Sequence, residues 1–264
     1  MQLGLCKLCL KEQPLVNSHL MARALYDLCR APDGSSIVLS NNVIMQSDRQ
    51  LQHPLLCKDC DNSLSRNGEE WLLPLLATIE GTFPFFDILQ KLPPDAIDGD
   101  SRLYAAARNP EVDSSKVTHF AMGVFWKAAV HSWSGSQTAP LIQLDEYAES
   151  VRTFLLGKSS FPADMVLTVG VTTPPVKMIS FHHPYQGSDA RHRNFLFYVP
   201  GIEFSLVLVR EVAVESKQTC FATHPLHPIL VCNLTSTIKD IVRAGTKNAH
   251  RAKNVERFLR KRGG

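Results

Sequence analysis

Most of the signatures that would assign an enzyme class are absent from this chain of 264 residues. It has no GxxxxGKS or GxxxxGKT loop, no GxGxxG and no GxSxG, which excludes a P-loop ATPase, a dinucleotide enzyme and an α/β-hydrolase. The segment from His119 to His131 has no acid of the HExxH kind, so a helical zinc-protease site is excluded as well. Long hydrophobic runs are missing too. The apolar stretch 71–79 is too short to cross a bilayer and contains Pro74. No charged segment followed by an apolar run opens the sequence, so no signal peptide is expected. Charge of one sign is scarce, at a net +3, which does not by itself declare a nucleic-acid partner. There is no internal repeat and no low-complexity tract.

Cysteine is present in an uneven pattern. Of seven residues, four form two matched pairs, Cys6-Lys7-Leu8-Cys9 and Cys57-Lys58-Asp59-Cys60, while Cys29, Cys220 and Cys232 are scattered. An odd total arranged this way fits a reducing cytoplasm better than a disulfide framework. CxxC spacing lets two thiolates converge on one ion, and four thiolates fill the tetrahedral shell of a structural Zn²⁺. The pairs are separated by 47 residues, far more than in a simple zinc ribbon, so the metal is expected to staple a hairpin and a helix that display something between them. The excursion begins Leu15-Val16-Asn17-Ser18-His19 and continues into an apolar-faced helix that Ser18 is able to cap.

The rest of the chain changes character twice. Residues 91–116 are rich in Pro, Asp and Ser and read as a connecting segment. Val117, Phe120, Ala121, Val124, Phe125 and Ala128 recur at helical spacing and predict a helix reaching about residue 133. A second helix is predicted over 145–156, stopped by Gly157. The runs 165–173, 176–183, 194–200 and 202–210 are β-branched and aromatic, with Pro200-Gly201 marking a turn, and predict strands. Helix is predicted again from about residue 236. His182 and His183, adjacent on a strand, are expected to point to opposite faces. The stretch 246–264 holds Lys247, Arg251, Lys253, Arg257, Arg260, Lys261 and Arg262 against the single acid Glu256. Such a patch suits a phosphate backbone, and equally a solvated terminal helix.

Cys6–Cys9, then Ser18-His19, then residues 51–65 with Cys57 and Cys60 resemble the HNH endonucleases and their treble-clef zinc fold, over about residues 3–70. The order CxxC, SH, LLCxxC also resembles a group of bacterial proteins, some of them HNH-like. The resemblance implies that His19 is the general base acting on a phosphodiester. It implies that the helix after Cys60, through Asp61 and Asn62, holds a catalytic Mg²⁺ or Mn²⁺ separate from the zinc. It further implies a DNA substrate, in bacterial defence or DNA processing. Two departures stand out: Asp61 and Asn62 replace the family's helix histidine, and Gln52 and His53 stand where its middle asparagine belongs. Asp61 is also what the positive end of any helix favours.

The expected fold class is α+β, with a treble-clef zinc domain over residues 1–80 and a domain over 91–264 of helices packed on a mostly antiparallel sheet. The expected function is a metal-dependent endonuclease. The alternative is a non-catalytic zinc-stabilised module that binds nucleic acid or protein.

Overall fold

The first cysteine pair lies in the turn of a hairpin in which β1 (Gln2–Leu5) pairs antiparallel with β2 (Glu12–His19). Leu10, at φ 60°, bends the backbone, so that its N–H reaches the Cys6 carbonyl at 2.9 Å while the Cys6 N–H reaches Lys11 at 3.0 Å. The computed structural model describes residues 2–30, 37–40, 43–47, 49–133, 139–176, 179–187, 192–209, 214–234, 238–239, 242–243, 246–247 and 250–252. After β2 come α1 (Arg23–Leu28), β3 (Ile37–Ser40) and β4 (Val43–Gln46). β5 (Gln52–Cys57) then returns antiparallel beside β2 and completes a sheet ordered β1-β2-β5. Cys57 ends β5 and is the N-cap of α2 (Lys58–Leu64), so the second cysteine pair straddles a strand-to-helix junction. The helical path continues through a π-turn at Ser65–Glu69, α3 (Glu70–Leu72) and a 3₁₀ turn at Leu73–Leu75. Pro74 lies in that last turn, where its missing N–H helps end the rod.

Ser18 does not cap a helix. It sits inside β2, fully buried with its hydroxyl unpartnered, and α1 is preceded by Ala22 with no side-chain cap. The expected helix simply starts later.

Beyond α4 (Pro84–Leu89), the segment read as a connection folds into a hairpin of β6 (Ala96–Asp98) and β7 (Ser101–Ala105). Gly99, at φ 55°, makes the turn directly after Asp98. An Asp-Gly pair is a hairpin signal, and here its acidic, proline-rich surroundings obscured it. α5 (Ser114–Val130) starts where the Asp113 carboxylate accepts the Lys116 N–H at 3.0 Å. α6 (Tyr147–Leu155) ends before Gly157 at φ 66°, as expected. β8 (Met165–Thr172), β9 (His182–Gln186), β10 (Arg193–Val199) and β11 (Ile202–Leu208) follow, then α7 (Val214–Thr219) and β12 (Pro228–Cys232). Among the described residues of the run 176–183, only His182 and His183 enter a strand.

The large sheet runs β6-β7-β12-β8-β11-β10-β9 and is antiparallel except where β12 lies parallel to β8. The architecture is therefore the expected α+β. The predicted C-terminal helix is only partly matched. Helical turns occur at 238–239, 242–243 and 246, but His250–Arg251 form β13, parallel to β4, with the Ala252 N–H on the Ile44 carbonyl at 2.9 Å. Among the described residues no helix is long and apolar enough to cross a membrane.

One hydrophobic cluster joins the cysteine unit to the large sheet, and α5 is its axis. The periodic apolar face predicted for this helix covers only half of what is buried, because α5 is enclosed on two sides. Phe120 and Phe125 meet Phe197 on the sheet side, at ring separations of 6.1 and 4.9 Å. The π-turn of the cysteine unit crosses the other side at Gly68. A methyl group at Gly68 would lie 2.8 Å from the Phe120 backbone. Gly68→Ala therefore pits a propensity gain of about 1 kcal/mol against an overpacking cost of about 2–3 kcal/mol between two backbones that cannot yield. The net expectation is a lower urea midpoint. Gly123→Ala, whose methyl would meet nothing closer than Leu64 at 3.8 Å, should hold or raise it.

Candidate metal centre and histidine pocket

The sulfurs of Cys6, Cys9, Cys57 and Cys60 all lie within 4.8 Å of one another, with Cys9 and Cys57 3.9 Å apart. Four sulfurs about 3.8 Å apart are what an ion bonded at about 2.3 Å to each would require. The cluster can hold a metal ion, and among the described residues no other group of three or more His, Cys, Asp or Glu can. Burial pushes the Cys57 and Cys60 thiols up, and the neighbouring Cys6 adds to this. Burial also acts on Cys6, but backbone donors at Cys57, Cys9 and Leu8 outweigh it and bring that thiol down. The site therefore begins with one favoured thiolate and releases protons as it fills. Arg152 of α6 fixes the turn from outside by donating to the Leu8 carbonyl at 2.6 Å while paired with Glu149 at 2.6 Å.

His19 is the last residue of β2, opposite Gln52 on β5, and half-buried. It faces a pocket of about 560 Å³ that is also lined by Arg23, Arg49, Gln50, Leu51, Gln52 and Trp133. Arg23 opens α1 four residues after His19, whereas Arg49 and Gln50 come from the loop between β4 and β5. The pairing of β2 with β5, set by the cysteine staple at its far end, brings these groups together. Among the described residues Arg23 pairs weakly at the surface with Asp27, at 4.0 Å. Among the described residues the lining carries two guanidinium groups and no carboxylate.

Behind the pocket the backbone of His19 is held from the core. Lys127 of α5, almost fully buried, donates to the His19 carbonyl at 2.8 Å and pairs with Glu69 at 3.3 Å. The Trp133 indole N–H donates to the Lys127 carbonyl at 2.8 Å, which fixes another wall. The Leu51 N–H donates to the Tyr26 hydroxyl at 3.1 Å, and that hydroxyl lies 3.5 Å from Nε2 of His183 on β9. His183 is half-buried and its neighbour His182 exposed, as expected for adjacent strand residues.

Burial, reinforced by His182, pushes His183 down to about 4 from 6.5. The folded protein thus keeps this imidazole neutral while the unfolded chain protonates it near pH 6.5. The resulting stability is complete above that pH and is lost as pH falls through about 4. It amounts to about 3 kcal/mol. Denaturant titrations at pH 7 and pH 4 should show His183→Gln losing that much less than wild type.

Of the residues singled out from sequence, the structure gathers the four cysteines and sets His19 in a pocket. Asp61, half-buried, and Asn62, exposed, lie on α2 and are not among the pocket's lining. Glu69 is linked to the His19 carbonyl through Lys127, which binds both; its sequence position reads as a solvated face. Lys247 and Arg251 are exposed. Lys253, Arg257, Arg260, Lys261 and Arg262 lie outside the described residues. Arg23 had a usable signal, being a basic residue one helical turn past His19. Arg49 and Trp133 had none, since only tertiary structure brings them to the pocket.

Comparison with protein-family profiles, with curated proteins and with solved structures returns no match. The resemblance to HNH endonucleases rests on this chain's own residues.

Proposed function

We propose that the protein acts on nucleic acid as an HNH-type endonuclease, with Zn²⁺ in the four-cysteine cluster as a structural ion. Four thiolates suit zinc and leave no open coordination position, so the chemistry belongs elsewhere. The observation that carries the reading is the pocket at the end of β2, where a histidine faces two arginines and, among the described residues, no carboxylate joins them in the lining. In that setting His19 is the general base, and Arg23 and Arg49 neutralise the scissile phosphate. The pairing of β13 with β4 supports it further. It ties the start of the basic tail to the strand that leads into the Arg49 loop.

The expected Mg²⁺ or Mn²⁺ does not fit this pocket. Such ions take oxygen ligands, and the described lining provides amides, guanidinium groups, an imidazole and an indole, with Asp61 and Asn62 outside it. No step is derived through a divalent ion.

A second reading, a non-catalytic nucleic-acid-binding module, is favoured by one observation. The acid linked to His19 through the Lys127 ammonium, Glu69, is already engaged by that lysine. A nicking assay on plasmid DNA and on a single-stranded RNA, with and without Mg²⁺ or Mn²⁺, separates the two. Wild type should cleave, and His19→Ala should slow cleavage by about 100-fold or more, the usual size of a general-base contribution. Two inert proteins that still bind would establish the second reading.

A further inference from the structure

The composition of the pocket around His19 bears on the substrate as well as on the ion. If the endonuclease reading is right, the nucleophile must be activated by the residues that line this space. Six described side chains line it with His19: two guanidinium groups, two carboxamides, an indole and a leucine. Arginine does not give up its proton in a protein, and carboxamides and indole do not exchange theirs as bases. Among the described lining residues, histidine is thus the one type able to take up a proton and return it. Water is a poor nucleophile without a metal to acidify it. A hydroxyl that the substrate itself holds next to phosphorus needs no such help, because proximity alone can be worth several powers of ten. RNA carries that hydroxyl at the 2′ position and DNA does not.

We propose that the His19 pocket cleaves RNA without a divalent ion. Arg23 and Arg49 hold the non-bridging phosphate oxygens as guanidinium forks, a role that elsewhere falls to a metal. The His19 imidazole takes the proton of the 2′-hydroxyl. The 2′-oxygen forms a bond to phosphorus, and the bond from phosphorus to the 5′-oxygen breaks. That oxygen then receives the proton back from His19. The products are a 2′,3′-cyclic phosphate and a 5′-hydroxyl, and the step consumes no water and no co-reactant. Three features suit it. The pocket, at about 560 Å³, has the size of a site for one nucleotide. Its base is held from behind by the bond from Lys127 to the His19 carbonyl. Its charge is uncancelled by any described carboxylate in the lining.

The test uses the full chain, with its cysteine-bound ion verified by metal analysis after exposure to EDTA. A labelled single-stranded RNA and the matching DNA are incubated with it in EDTA, then with Mg²⁺. The expected result is cleavage of RNA alone, unchanged by EDTA, with a cyclic phosphate identified by mass spectrometry. One 2′-deoxy substitution at the cut nucleotide should abolish it. Arg23→Gln and Arg49→Gln should each slow it by about 100-fold, the scale for losing one donor to a developing oxyanion. Both arginines are exposed, so an unchanged melting temperature will show that the fold survives. Cleavage of DNA, a requirement for Mg²⁺, or 5′-phosphate products would overturn the proposal while leaving the endonuclease reading intact. Inertness toward both polymers in every condition overturns both.

Discussion

Cys60→Ser is expected to empty the metal centre and lower the melting temperature by about 20 °C or more. Structural zinc in a four-ligand site contributes on the order of 10 kcal/mol, comparable to the entire net stability of a typical domain. For a chain of this size each kcal/mol is worth about 2–4 °C. A serine at position 60 cannot replace the soft thiolate, and three remaining sulfurs leave an open, weak site. The damage will spread beyond the N-terminal unit, because Cys6, Cys57 and Cys60 belong to the same buried cluster as α5 and the large sheet. The β2–β5 pairing that sets His19 opposite Gln52 is anchored at Cys57, so the pocket should be lost with the ion. Cys232→Ser, half-buried and outside the cluster, should shift the transition by a few degrees at most. Metal analysis and a thermal melt on the two variants decide the matter. A metal-free Cys60→Ser protein that melts with wild type would show that the shared core stands without the staple.

The cysteine cluster was legible in the sequence because CxxC spacing is a local constraint that the fold need only bring together. The strands β8, β10 and β11 were legible because runs of β-branched and aromatic residues are broken by Pro200-Gly201, and Gly201 takes the φ of 89° that the turn demands. β6, β7 and β12 were not. β6 and β7 are short and set among Asp, Ser and Pro, and β12 is five residues that follow directly on the proline-flanked His224 and His227. Such residues mark the ends of short strands as readily as they mark linkers. The pocket was the least legible part. His19 and Arg49 are 30 residues apart in the chain and meet only through strand pairing across the excursion. Lys127 was hidden for a different reason. In an amphipathic helix a lysine marks the solvent side, but α5 is buried on both sides, so Lys127 points into the protein and takes a partner there.

That lysine carries the second large expectation. Lys127→Met keeps the length and volume of the side chain and removes its charge and its donors. Two groups are then stranded: the Glu69 carboxylate, 20% exposed, and the His19 carbonyl. Breaking a buried ion pair from one side costs about 3–5 kcal/mol, because the partner's charge stays behind without compensation. The partial exposure of Glu69 lets water recover some of that, which puts the expectation near 3 kcal/mol by denaturant titration. The pair itself is worth much less than its rupture, since both charges were desolvated to form it. Lys127→Met combined with Glu69→Leu should therefore recover more than half of the loss, an interaction that a double-mutant cycle reads directly. The recovery will not extend to the pocket. The His19 carbonyl remains unpaired in the double variant, so the end of β2 should loosen and any His19-dependent cleavage should stay depressed even as stability returns. Stability and cleavage recovering together would mean that the lysine serves the core alone, and that His19 is held by its strand pairing without it.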